Sequence, residues 1–499
     1  METAGARDIR YGEEFKYMND SARAPAALPR KRSEHWQVTL LIGLSQLIVT
    51  TDFSIVGVAL PSIGRELAVA ADLLSWVVAA TSLALAGFLI PSGRAADMFG
   101  QRRCIELGAA LFAGASLLCS LAPGIGWLIA ARAILGFGAA ILAPASLSLI
   151  HTLLPEGPVR NRALGLLGTM QGFSLAIGLL IGGAVTSAFG WRAIFLVNLP
   201  PILLIVVLAR RVIPAVTVRT AKQALDVPGA VLVGLGPSSV LASISMLNRR
   251  GWDYAPGLML LAAATATVAL FFFVERRVKA PLLPPRLFTF RNVLGGNLAT
   301  LLLMGAIAGM FVLMSLLVQQ RYGLTALSGG LAMMPYAAAV AIGGRVVSMG
   351  MTWATLKTNA LVGIVLQIVA FALLSGAVPS VNYVAGVMPG MICGGIGNAI
   401  AFVALMAVAT ETVPRQEQGV ASGALLAAQQ LGVAIGVAIV LMGLSSGGFT
   451  GGFLTAGVFG LSAMLVVAMA TTAIHRPGGT PGHMSRPGKG VRQCDGDIG

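Results

Sequence analysis

The chain has 499 residues, 56% of them hydrophobic and only 11% charged, with a mean hydropathy of +0.85, which excludes a soluble globule. Its formal charge of +15 is spread over short loops and forms no continuous basic patch, so nucleic acid is not expected as a partner. The four cysteines, Cys104, Cys119, Cys393 and Cys494, lack pairing or metal-ligand spacing, so neither disulfides nor a metal is expected.

Apolar runs of about 20 residues are continuous rather than alternating, which selects membrane-spanning helices over a β-barrel. The expected fold class is an all-α polytopic membrane protein. Residues 1–35 carry charges of both signs and no apolar core, and read as a cytoplasmic tail without a cleavable signal. Spans are then expected at 36–60, 73–93, 104–122, 127–150, 163–186 and 192–213, a first block of six. A pair at 227–247 and 257–274 lies within a segment of linkers, 214–292. A second block of six, within 293–474, is expected at 293–318, 329–350, 354–377, 381–408, 419–443 and 449–474, with a bend at Pro389 in the fourth of these. Residues 475–499, rich in Gly, Pro and charge, read as a disordered cytoplasmic tail.

Fourteen spans put both termini on one side. The N-terminal tail and alternate loops hold most of the basic residues, among them Arg94, Arg102, Arg103, Arg160, Arg162, Arg210 and Arg211. The opposite loops hold only Arg65, Arg192, Arg249, Arg250 and Arg321, so both termini are expected in the cytoplasm. Two blocks of six suggest alternating access around a site at mid-membrane.

Span 1 carries Asp52 about two-thirds of the way along, after Thr50-Thr51 and before Phe53-Ser54, with Pro61 expected to close the span. A carboxylate at that depth costs roughly 2.5–3.5 kcal/mol on insertion scales and is seldom kept without a partner or a task. Between spans 2 and 3, Gly93 to Arg103 reads as a short loop with glycines at both ends, Gly93 and Gly100. In it Asp97 either caps a helix or pairs with a nearby arginine such as Arg102, a contact that can latch one conformation.

In span 4, Arg132 either snorkels to the outer interface or faces the cavity beside a carboxylate such as Asp52. A neighbouring positive charge favours the ionised acid and desolvation the neutral one, so in the second reading Arg132 tunes that carboxylate. In span 5, Gly165, Gly168, Gly172, Gly178, Gly182 and Gly183 fall within an arc of about 140°, a face where another helix can approach closely. Span 13 repeats the device with Gly419, Gly423, Gly432 and Gly436. Each glycine is open to either reading, static packing or a sliding surface.

Trp191 and Arg192 before span 6 read as interfacial anchors, and Asn198 as a helix–helix hydrogen bond. Met304, Met310, Met314 and Phe311 of span 9 form a soft apolar wall that either packs or lines a cavity. Thr50, Ser54 and Phe137 are further cavity candidates. In the second block the spans offer little charge that could support a second site beyond Arg345 and Glu411. His35, His151, His475 and His483 lie outside or at the edges of spans. No Walker A loop, nucleophile elbow or kinase signature is present, so neither ATP-driven transport nor an enzyme is expected.

Taken together, these segments resemble the major facilitator superfamily and, within it, the fourteen-helix drug:proton antiporters, over nearly all of 36–475. Asp52 to Pro61 is similar to that family's first-helix motif, Gly93 to Arg103 to the superfamily's loop between helices 2 and 3, and Arg132 to Ala140 to its helix 4 motif. Trp191 to Pro200 and Gly419 to Gly436 resemble the family's segments at helices 6 and 13. Where the helix 5 motif usually carries Gly-Pro, this chain has Gly178-Leu179. The resemblance implies a proton-coupled exporter of small amphipathic drugs or antibiotics, with Asp52 and Arg132 in proton coupling, the Asp97 loop as inner latch, and no cofactor beyond the proton gradient. It implies a small-molecule substrate, the lipid bilayer as the other partner, function as a monomer, and a place in a bacterial inner membrane. The abundance of Arg, Ala and Gly points the same way, to a G+C-rich bacterial genome. The alternatives are a proton-coupled symporter of a metabolite on the same fold, and a non-transporting membrane receptor.

Overall fold

The computed structural model describes residues 32–154, 158–214, 254–275, 289–348, 355–378, 383–411 and 418–470, with Arg277, Val413 and scattered helical residues between 229 and 243. The described residues are helical and include no strand. Ten of their helices are long and apolar enough to cross a membrane. The seventh expected span, 227–247, lies largely outside the described residues, as do most of 1–35 and all of 475–499, so the total of fourteen is not counted there.

In chain order the helices are α1 (Arg32–Glu66), α2 (Ala71–Phe99), α3 (Gln101–Ser120), α4 (Ile125–Leu153), α5 (Pro158–Phe189), the short α6 (Ala193–Leu196) and α7 (Leu199–Val212). Then come α8 (Tyr254–Glu275), α9 (Arg291–Leu316), α10 (Ala326–Ser348), α11 (Leu356–Ala377), α12 (Met388–Glu411) and α13 (Gln418–Ala470). Single π-helical turns extend α9 at Leu317–Arg321 and precede α12 at Tyr383–Val387. α13 is two spans, because Gly447 and Gly448 leave helical geometry and Gly448, at φ +62°, turns the chain back.

Two expectations about helix ends are corrected. Pro61 does not close the first span; α1 runs through it to Glu66. A proline removes one N–H from the ladder, and membrane helices tolerate it where other groups take up the freed carbonyls. Here Gln319, on the π turn after α9, donates Nε2 to the Val58 carbonyl at 2.8 Å, beside the place the proline disturbs. Gly93 to Phe99 is not a loop either. It completes α2, and the whole connection to α3 is Gly100, whose φ of +91° is the left-handed region that a glycine enters without a clash.

α1 packs on α5 and α4, and α4 also on α2 and α3; α9 packs on α13, and α12 on α11 and α10. Between these two groups the main contacts are α5 with α10 and α2 with α13, and α1 also touches α9. The core is one continuous apolar cluster running through both groups. α8 is largely exposed, with Met259, Leu270 and Phe273 on its surface, as befits a helix facing lipid tails.

Candidate functional site

Gly136 sits one turn beyond Arg132 on α4, and a Cβ there would lie 2.3 Å from the Thr81 carbonyl. Its absence lets the α4 and α2 backbones touch, and Thr81 Oγ1 donates to the Arg132 carbonyl at 3.0 Å. So held, the Arg132 side chain runs across α2 toward α1. Nε donates to the Val77 carbonyl at 2.9 Å, and Nη1 meets Asp52 Oδ2 at 2.6 Å.

The two side chains are 1% and 3% exposed. Arg132 therefore does not snorkel; it is spent on an ion pair far from water. Asp52 is fourteen residues before Glu66, about 21 Å at the helical rise of 1.5 Å per residue, which is deep in a hydrocarbon core about 30 Å thick. Its second oxygen, Oδ1, is buried and accepts no hydrogen bond.

The other cavity candidates divide by helix face. Ser54 points away from Asp52, toward α5, where its hydroxyl donates to the Thr51 carbonyl at 2.9 Å and approaches the Ser174 carbonyl at 3.4 Å. It fills the space that Gly178 leaves: a Cβ on Gly178 would lie 1.8 Å from Ser54 Oγ. Thr50 is half-buried and bonds its own helix at the Gln46 carbonyl. Phe137 stacks edge-on against Phe88 of α2 with ring centres 4.7 Å apart. Met304 and Met314 are buried in α9. Phe311 of α9 stands between the two groups of helices, its ring 6.3 Å from Phe53 and 4.9 Å from Tyr336 of α10.

The glycines also separate. Gly182 abuts α1 at Ile55, and Gly432 abuts α9, where a Cβ would lie 2.1 Å from the Leu301 carbonyl; both are contacts inside one group. Gly183 lies between the groups, with Ala326 and Leu327 of α10 against it, and Gly423 meets Ile90 of α2. The surroundings of Gly168 and Gly172, and the side chains of Asp97, Arg345 and Glu411, lie outside the described residues. Arg102 Nε pairs with Glu106 at 3.2 Å and Nη1 reaches the Ile213 carbonyl at 3.4 Å, while Arg210 shares the same Glu106 oxygen.

At the other end of the helices, Trp191 is a correction. It is 1% exposed rather than an anchor in the interface, and its Nε1 donates to Glu66 Oε2 at 2.8 Å. Arg192 pairs with the other Glu66 oxygen, lies over the Trp191 ring and donates to the Ala122 carbonyl at 3.0 Å. Three chain segments are tied there, α1 through Glu66, which sequence reasoning passed over, and the end of α3 through Arg192. Because the arginine and glutamate are half-exposed, Glu66→Gln is expected to lower the melting temperature of the detergent-purified protein by only a few degrees, equivalent to about 1 kcal/mol or less. A loss of folding would show the tie to be worth far more. Asn198 does serve as a helix–helix bond, donating to Ser116 Oγ at 3.4 Å.

Sequence reasoning also missed Gln319, Tyr336 and Gln367, buried in the second half, and Asn398, whose Oδ1 is buried there. The signal was an uncharged polar residue within an apolar span, weaker than a charge because its insertion cost is lower.

The chain matches the family model of the Major Facilitator Superfamily over residues 42–437. It is 34% identical over 424 residues to the puromycin resistance protein of Streptomyces alboniger, covering 84% of this chain and 83% of that one. It is also 34% identical over 420 residues to a cephamycin export protein of Amycolatopsis lactamdurans, covering 84% and 86%. A lincomycin resistance protein of Streptomyces lincolnensis is 34% identical over 461 residues, covering 90% and 94%. Among solved structures, a D-xylose–proton symporter superposes with a TM-score of 0.64 at 14% identity, over 88% of this chain and 98% of that one, a likeness of fold alone. Helices, buried pair and relatives lead to one conclusion: the chain is a multi-pass membrane transporter of the major facilitator superfamily.

Proposed function

We propose that this transporter exports small amphipathic, drug-like molecules in exchange for protons. The observation that carries the reading is the Asp52–Arg132 pair, buried at mid-depth with one carboxylate oxygen bare. Ionised, Asp52 holds Arg132 and ties α1 to α4; protonated, it releases the guanidinium to its remaining bond with Val77. A pair that forms and breaks with one proton gives the two states that alternating access needs. The relatives, a puromycin and a lincomycin resistance protein and a cephamycin exporter, favour outward transport of amphipathic antibiotics over import of a metabolite.

One proton entering down a membrane potential supplies about 2.3 kcal/mol per 100 mV, which sustains roughly a 50-fold substrate gradient without ATP. In this reading the chain is no enzyme, needs no cofactor beyond the proton gradient, works as a monomer, and lies in a bacterial inner membrane with both termini cytoplasmic. The test is uptake of cationic dyes and neutral antibiotics by inside-out vesicles energised to an acidic interior. Accumulation that a protonophore abolishes is expected. Accumulation only in right-side-out vesicles would replace export with import.

A further inference from the structure

Three helices of the second half bring together polar side chains with atoms that make no hydrogen bond of proper geometry. Tyr336 of α10 and Gln367 of α11 are each 0% exposed, and Asn398 of α12 lies beside the Tyr336 hydroxyl. Tyr336 Oη, Gln367 Oε1 and Asn398 Oδ1 are buried without a hydrogen bond of proper geometry. Gly394 of α12 packs against both side chains: a Cβ there would lie 3.3 Å from the Tyr336 ring and 3.4 Å from Gln367 Nε2.

Buried carbonyl oxygens are costly unless something donates to them; Tyr336 and Asn398 have only each other at imperfect geometry and Gln367 Oε1 has no donor, so the cluster has acceptor capacity to offer a ligand. Tyr336 is ten residues in from the start of α10 and Gln367 eleven from the start of α11, about 15 and 17 Å at 1.5 Å per residue, so both sit near mid-membrane. The cluster is joined to the proton site by aromatic rings. Phe311 packs on Tyr336, and Phe53, next to Asp52 in the chain, packs on Phe311.

We propose that Tyr336, Gln367 and Asn398 are the substrate-selecting residues of the second half, taking molecules that present N–H or O–H donors on an apolar body. The donors reach the two amide oxygens and the phenol, while the body lies against Phe53 and Phe311. The assignment rests on the export reading above and adds the substrate chemistry. Two carbonyl acceptors and a phenol carry no fixed charge, so neutral donors suffice and a positive charge on the substrate is not required.

The experiment compares two probes in energised inside-out vesicles: puromycin, which carries N–H and O–H donors, and tetraphenylphosphonium, which has none. Gln367→Leu and Tyr336→Phe are expected to raise the puromycin KM at least about tenfold, the worth of one hydrogen bond, with kcat kept and tetraphenylphosphonium transport unchanged. Asn398→Leu serves where Gln367→Leu does not reach the membrane. Equal losses for both probes, an unchanged KM for both, or a fall in kcat alone would overturn the assignment. If puromycin alone is carried, the KM-against-kcat split decides in the same way. Wild-type transport of tetraphenylphosphonium alone would overturn donor selection and leave export standing, whereas transport of neither probe would overturn the export reading and this assignment with it.

Discussion

Asp52→Asn is expected to reduce gradient-driven accumulation to the level seen with a protonophore, at matched membrane expression, while downhill exchange of substrate persists. The amide keeps the shape of the carboxylate and can still accept from Arg132 Nη1, now 2.6 Å from Oδ2, but it cannot take up or release a proton. Loss of the energised component alone thus separates coupling from folding. The reciprocal change is harsher. Arg132→Met leaves Asp52 buried with no counter-charge, and breaking a buried pair in this way costs about 3–5 kcal/mol unless the acid becomes neutral. Arg132→Met is therefore expected to express poorly, and the double change Asp52→Asn with Arg132→Met to recover expression without recovering coupling. Asp52→Asn vesicles that, when energised, still concentrate substrate above the protonophore level would remove this pair from the mechanism.

The second large effect is expected at Gly330 of α10, where a Cβ would lie 2.3 Å from the Leu179 carbonyl of α5. The obstacle is backbone rather than the end of a flexible side chain, so Gly330→Leu must push the two helices apart. Gly183 repeats the geometry against Ala326, and Leu327 N donates to Ser187 Oγ at 3.0 Å, so this is where the ends of α5 and α10 close on each other. Overpacking of this kind typically costs about 1–3 kcal/mol, enough to disfavour the closed arrangement heavily. In a cysteine-free background, Ala326→Cys, buried against Gly183 of α5, should be labelled by an impermeant maleimide only once Gly330→Leu is added. Export should fall with it. Gly423→Ala, whose Cβ would meet only the movable Ile90 side chain at 3.4 Å, should cause a far smaller loss. Equal effects at the two positions would show that backbone contact is not what closes this face.

These expectations depend unequally on sequence and on structure. Asp52 and Arg132 could each be singled out from the chain alone, because a charge inside an apolar run carries an insertion penalty that local hydropathy reports. Their mutual contact could not be found that way, since it depends on Gly136 letting α4 lie against α2 and on the reach of one guanidinium past Val77. The glycines of span 5 were visible as a stripe, yet nothing in the stripe says that Gly178 receives Ser54 while Gly183 receives a helix of the other half. Trp191 was read from its place at a span boundary and proved buried, because Glu66 lies across from it.

What the sequence by itself determined is the class of the molecule: apolar runs too long and too uniform for water, helices because lipid satisfies no backbone group, and the level at which charges must find partners. Those properties are local and additive along the chain. What only the tertiary structure decided is which partners they find, that Gln319 reaches the Val58 carbonyl near Pro61, and that Tyr336, Gln367 and Asn398 meet in one place. Such contacts form between residues tens to hundreds of positions apart, through close packing in which a single missing Cβ sets the distance, and no window of sequence contains both sides.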